Sequence, residues 1–187
     1  MIFDYFYLIN SKTNNMKILK NILIAIIALI ALILIIALFV PKDFTSKAEI
    51  TIDKPRQEVF DYIKFIKNQD NFGTWQLSDP GMTTTAQGTD GTVGFKYSWV
   101  GEKVGQGSQT ITHIVDGERM DSELDFGFGD PAKGFIVLKE ISPSQTSVTW
   151  GISGRSPYPW NLMGLFMNMD SDFEKGLQNL KSILEAK

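Results

Sequence analysis

A chain of 187 residues with 43% hydrophobic and 21% charged side chains is long enough to bury a core, and its composition is that of one globular domain, not a disordered segment. The net charge of −3 is unevenly spread: Lys12, Lys17 and Lys20 against Asp4 fall in the first 41 residues, leaving 15 of 18 basic and 20 of 21 acidic side chains beyond them, a balance of −5 that argues against binding a nucleic-acid backbone. With no cysteine, disulfides, thiolate nucleophiles and Cys-based zinc sites are excluded.

Three segments are expected: a tail over 1–20, an anchor over 21–41 and a folded domain over 42–187. The anchor is "NILIAIIALIALILIIALFV", residues 21–40, in which positions 22–40 are uncharged and would span roughly 28 Å as a helix. A cleaved signal peptide is the rival reading, because Met16 is a second possible start and "MKILK" resembles a basic leader. The long apolar run, with Phe39 and Val40 where a peptidase needs small residues, favours an uncleaved single-pass helix. Lysines lie on both sides, Lys12, Lys17 and Lys20 before it and Lys42, Lys47 and Lys54 with Arg56 after it. Charge asymmetry is therefore slight, and the domain is expected on the extracytoplasmic side.

After Pro41 the pattern becomes α+β. Phe44, Ser46, Ala48, Ile50 and Ile52 alternate with polar residues as on a half-buried strand. Asp53 and Pro55 then open a helix whose Val59, Phe60, Ile63 and Ile66 share one face, and "NQDNFGTWQL" makes a short helix or loop ending at Asp79-Pro80-Gly81. Turn signals at Asp90-Gly91, Gly101-Glu102, Asp116-Gly117, Gly129-Asp130-Pro131 and Ser142-Pro143-Ser144 cut the next stretch into an antiparallel meander with no room for crossover helices. Its strands put aromatic residues on one face: Val93, Phe95, Tyr97 and Trp99; Met120, Ser122, Leu124, Phe126 and Phe128; Val148, Trp150 and Ile152. The expected cover is an amphipathic helix near the C-terminus, with Leu162, Phe166, Met169, Phe173, Leu177, Leu180 and Leu184 as its stripe. In "LMGLFMNM" Met163 and Met167 widen the apolar surface.

This order, strand, helices, six-strand meander and long C-terminal helix, resembles the helix-grip fold of the START-like (SRPBCC) superfamily, and within it the polyketide cyclase/dehydrase and lipid transport family. The matching words are "ITIDKPRQEVFDYI", "MTTTAQGTDGTVGFKYSWVGEKVGQGSQTITHI" and "LMGLFMNMDSDFEKGLQNLK", over about residues 45–186. The last two resemble a bacterial subgroup that often carries an N-terminal membrane segment. Related chains commonly have a few more residues between "NMD" and "DFEKGL", so 159–186 is open to being one helix or two, with Ser171 and Glu174 as a capping box for the second.

The resemblance implies a curved antiparallel sheet wrapped on the C-terminal helix, with a cavity between them that relatives use for lipids, sterols or aromatic polyketides. Trp75, Phe95, Tyr97, Trp99, Leu124, Phe126, Trp150, Met163, Phe166 and Met167 form a candidate apolar lining, each of the aromatics and methionines also being an ordinary core residue. His113 is the single histidine, expected in "TITHIV" to share a strand face with Ile111 and Val115 and with no nucleophile or metal-ligand motif beside it, and Asp121, Glu123 and Asp125 lie on the face opposite the aromatics. Arg155, just past the last strand, is expected to meet a surface acid, with a ligand's polar head as the alternative. The reading is a membrane-anchored domain that binds a hydrophobic small molecule or lipid without catalysis, cofactor, metal or nucleic acid. The alternatives are a cyclase, dehydratase or hydrolase acting on a hydrophobic substrate, and a ligand-free domain that recruits a protein at the membrane.

Overall fold

The computed structural model of the chain describes residues 2–165 and 169–186, with side chains from Met16 onward. It opens on a single helix, α1 (Ile2–Phe39), which runs unbroken through the expected tail. Its 24-residue portion Met16–Phe39 is long and apolar enough to cross a membrane.

Strand β1 (Asp43–Ile52) follows, then helix α2 (Arg56–Ile63), a 3-10 turn over Ile66–Asn71 and a one-turn helix α3 (Thr74–Ser78). The meander is β2 (Thr83–Gln87), β3 (Lys96–Gly101), β4 (Gly105–Val115), β5 (Arg119–Asp125), β6 (Ala132–Ser142) and β7 (Gln145–Arg155). The expected turns at 90–91, 116–117 and 129–131 fall between strands, and those at 101–102 and 142–144 begin on the last residue of one. Neighbours pair antiparallel, and β1 closes the row beside β7, giving the order β1-β7-β6-β5-β4-β3-β2. Helix α4 (Asp170–Glu185) packs mainly on β1 and β7.

This seven-stranded antiparallel sheet with a C-terminal helix is the helix-grip architecture. Alternation puts Ile52, Met120, Ile136, Leu138, Val148, Trp150 and Ile152 into one core with Val59, Phe60 and Ile63 of α2 and Phe173, Leu177, Leu180 and Leu184 of α4. Gly176 lets α4 approach closely, because a Cβ there would lie 2.6 Å from Trp150 Cζ3. The start of α4 is tied to β1 by Asp170, whose carboxylate accepts from Ser46 Oγ and, at 3.0 Å, from the Lys47 N–H. An acid in the first turn also suits the helix dipole.

Three details differ from the sequence reading. Strand β3 begins at Lys96, and Val93 is exposed before Gly94, whose φ of 90° turns the chain. Phe128 lies beyond β5, on the loop past Gly127, and is exposed. A bulge between Ile111 and His113 breaks the alternation of β4, so Ile111 is buried while His113 and Val115 are exposed.

The region after β7 is two elements, not one continuous helix. A 3-10 turn over Trp160–Leu165 precedes α4, and the N-cap of α4 is Met169, so the box at Ser171 does not open it. That turn packs on the end of α1. Asn161, itself buried, donates from Nδ2 to the carbonyls of Ala37 and Val40 at 2.8 Å each, and Tyr158 Oη donates to the Leu34 carbonyl at 3.2 Å.

Candidate functional site: the concave face of the sheet

Register places two aromatic groups on the concave face. The first is closed. Trp150 meets Phe173 edge-on at 5.1 Å between centroids and Phe72 at 5.3 Å, and Trp75 stands against Phe173 at 5.0 Å. These rings come from β7, α4, α3 and the residue after the 66–71 turn, and they fill the space under α4. Phe95 stacks on Tyr97 at 6.5 Å, both buried. Trp75, Phe95, Tyr97 and Trp150 therefore belong mainly to the packed interior.

The second group is open. Trp99 of β3 and Phe126 after β5 meet at 6.2 Å, edge to face, and with Leu124 they are only half-buried. The pairings Trp99↔Gly107 and Leu124↔Gln109 bring β3, β4 and β5 together here, away from the strands on which α4 rests. Two glycines shape the floor. A Cβ at Gly107 would lie 2.5 Å from the Trp99 indole, and one at Gly134 of β6 would lie 2.6 Å from Leu124 Cδ1 and 2.7 Å from Ser122 Oγ. Beneath the apolar rim, Gln109 Nε2 donates to Ser122 Oγ at 3.0 Å in a fully buried pair.

Asp70 adds a polar contact toward β3. It sits in the 66–71 turn, and its Oδ2 accepts from Tyr97 Oη at 2.5 Å while its buried Oδ1 has no partner among the described residues. Burial, reinforced by this bond, pushes the Tyr97 phenol up to about 12.

The remaining candidates are placed elsewhere. Met163 is half exposed on the 160–165 turn, and Phe166 and Met167 lie outside the described residues. Arg155 is paired with Asp43 at 3.8 Å on the surface. Among the described residues no group of three or more His, Asp or Glu side chains is placed to hold a metal ion. Sequence reasoning passed over Gln109 and Ser122. The signal for Ser122 was present, a lone hydroxyl on the stripe of Met120, Leu124 and Phe126, whereas Gln109 sits in a polar run that reads as solvated.

No sequence-family profile matches the chain, and no curated protein matches it by sequence. Solved structures do. Norcoclaurine synthase from Thalictrum flavum is similar over 82% of this chain and 92% of its own, with a TM-score of 0.63 at 8% identity. Ara h 8.0201 is similar over 78% and 99%, with a TM-score of 0.52 at 12% identity. The Aha1 dimer from Colwellia psychrerythraea is similar over 76% and 96%, with a TM-score of 0.55 at 12% identity. At these identities the likeness is one of fold, the helix-grip fold.

Proposed function

We propose that the chain is a membrane-anchored member of the polyketide cyclase/dehydrase and lipid transport family that binds a hydrophobic small molecule or lipid without transforming it. The observation that carries this is the open half of the concave face. There Trp99, Leu124 and Phe126 are half-buried over the buried Gln109–Ser122 pair, where α4 does not rest. Apolar walls around a few fixed polar groups suit a ligand that is mostly hydrocarbon with one polar end. Trp75, Phe95, Tyr97, Trp150, Met163, Phe166 and Met167 remain proposed contributors to the lining. The anchor is α1, with the domain over 42–187 on the extracytoplasmic side.

The catalytic alternative has support in the norcoclaurine synthases among the structural neighbours, one of them in complex with dopamine and hydroxybenzaldehyde. Tyr97 and Asp70 are the pair such chemistry would draw on. A phenol held near 12 is a weak proton donor at neutral pH, which favours binding over turnover.

Native mass spectrometry of the full-length chain released from detergent micelles tests the reading. A bound hydrophobic species of defined mass is expected on the wild type and absent from Leu124→Arg, which puts a cation among the apolar walls. An empty wild type would sink the binding reading and favour a protein-recruiting domain. A bound species that leaves chemically altered would favour the enzyme.

A further inference from the structure

The stretch Ser156–Met169, between Arg155 and Asp170, contains no charged side chain. Within it Trp160 is 64% exposed, Leu165 57% and Met163 50%, an unusual cost for a segment facing water. The same segment is fastened to α1. Tyr158 reaches the Leu34 carbonyl and Asn161 those of Ala37 and Val40. Leu34 lies six residues inside the apolar run from Val40, about 9 Å along a helix axis. If α1 crosses a bilayer, the 156–165 segment is held at a depth where it meets lipid.

We infer that Ser156–Leu165 seats the domain in the interfacial layer of the bilayer that α1 crosses, so that the open end of the concave face is presented to lipid. This rests on the membrane-anchored reading above. The composition fits that depth. Tyr158 and Trp160 are the residue types that favour the membrane–water boundary, and Pro157 and Pro159 bring no N–H that lipid would leave unsatisfied. The Asn161 and Leu162 N–H groups are already bonded, to the Pro157 and Pro159 carbonyls at 3.2 and 3.3 Å. Register fixes which end of the sheet follows. Asp43 pairs with Arg155, Lys133 with Ser153, Leu124 with Ala132 and Trp99 with Gly107, so Trp99 and Leu124 lie at the end of the sheet where α1 and the 156–165 segment join it. A ligand dissolved in the membrane would reach them without crossing water.

The chain has no native cysteine, so single cysteines carrying a polarity-sensitive fluorophore report one place each. Full-length Trp160→Cys, Met163→Cys, Ile30→Cys and Ser144→Cys would be labelled and reconstituted in phosphatidylcholine vesicles, with and without nitroxide on the acyl chains. Ser144 lies in the exposed β6–β7 turn, at the far end of the sheet. Labels at 160 and 163 are expected to show blue-shifted emission and severalfold stronger quenching by the lipid nitroxide than the label at 144, with 30 quenched as well. Labels at 160 and 163 that behave like 144, while 30 is quenched, would overturn the seating and leave the anchor intact. An unquenched label at 30 would overturn the anchor, and the seating with it.

Discussion

Tyr97 shows how one side chain can tie a helical turn to a sheet. Its ring lies in the core beside Phe95, and its hydroxyl donates to Asp70, whose other oxygen is buried without a partner among the described residues. The phenol is raised from 10.0 to about 12 in the folded chain, so the folded state holds this proton more tightly than the unfolded chain does. Its contribution to stability is present in full below about pH 10 and is lost as pH rises through 12. Tyr97→Phe removes the donor and leaves the half-buried Asp70 carboxylate without it, with an expected cost of about 1–3 kcal/mol at neutral pH. In denaturant melts from pH 7 to 12, the gap between wild type and Tyr97→Phe should narrow above pH 10. A constant gap across that range would show that the phenolic proton contributes nothing. The Tyr97–Asp70 pair could not be read from the sequence, because it joins residues 27 apart through a turn whose geometry no periodicity reveals. The bulge at Ile111/His113 was hidden for a related reason: "TITHIV" alternates cleanly, and the extra residue is visible only in the pairing with β5.

At the scale of elements, strands were the most legible part. A two-residue period with glycine- or proline-bearing turns left few alternatives, and β1 and β5 follow it throughout. The stripe misled at Leu162, where apolar spacing continued while the partner changed, whereas Met169 and Phe173 do pack on the core. From Phe173 onward the apolar residues face the sheet, whereas the 160–165 turn packs against α1. The two stretches should therefore respond differently to truncation. Leu180 is fully buried between α4 and the sheet, and Leu180→Ala should cost roughly 2–5 kcal/mol. Met163 is half exposed, and Met163→Ala should stay within about 0.5 kcal/mol. Gly176→Ala is a sharper test of how closely α4 approaches, since its new methyl group would meet the Trp150 ring at 2.6 Å. Overpacking of that kind should cost about 1–3 kcal/mol. Urea midpoints of the three full-length variants would separate these outcomes. A Gly176→Ala midpoint equal to that of wild type would mean that α4 sits farther from the sheet than described.

For the molecule as a whole, the question is whether α1 stays attached. A signal peptide is discarded, so nothing in the mature domain should depend on its far end. Here Ala37 is fully buried, and the carbonyls of Ala37 and Val40 both accept from Asn161. Cutting near residue 41 would strip the buried Asn161 amide of both acceptors, and its Oδ1 already has no partner among the described residues. An unsatisfied buried amide of this kind costs about 1–3 kcal/mol, a substantial part of the stability of a single domain. The full-length chain is therefore expected to remain in the membrane pellet after carbonate washing, with an intact mass that includes residues 21–41. A version lacking residues 1–40 should unfold at lower urea than the full chain in detergent, and Asn161→Ala should narrow the difference by removing the orphaned group. Release of a soluble product beginning near residue 41, as stable as the full chain, would identify α1 as a signal peptide and its contacts with Asn161 as dispensable.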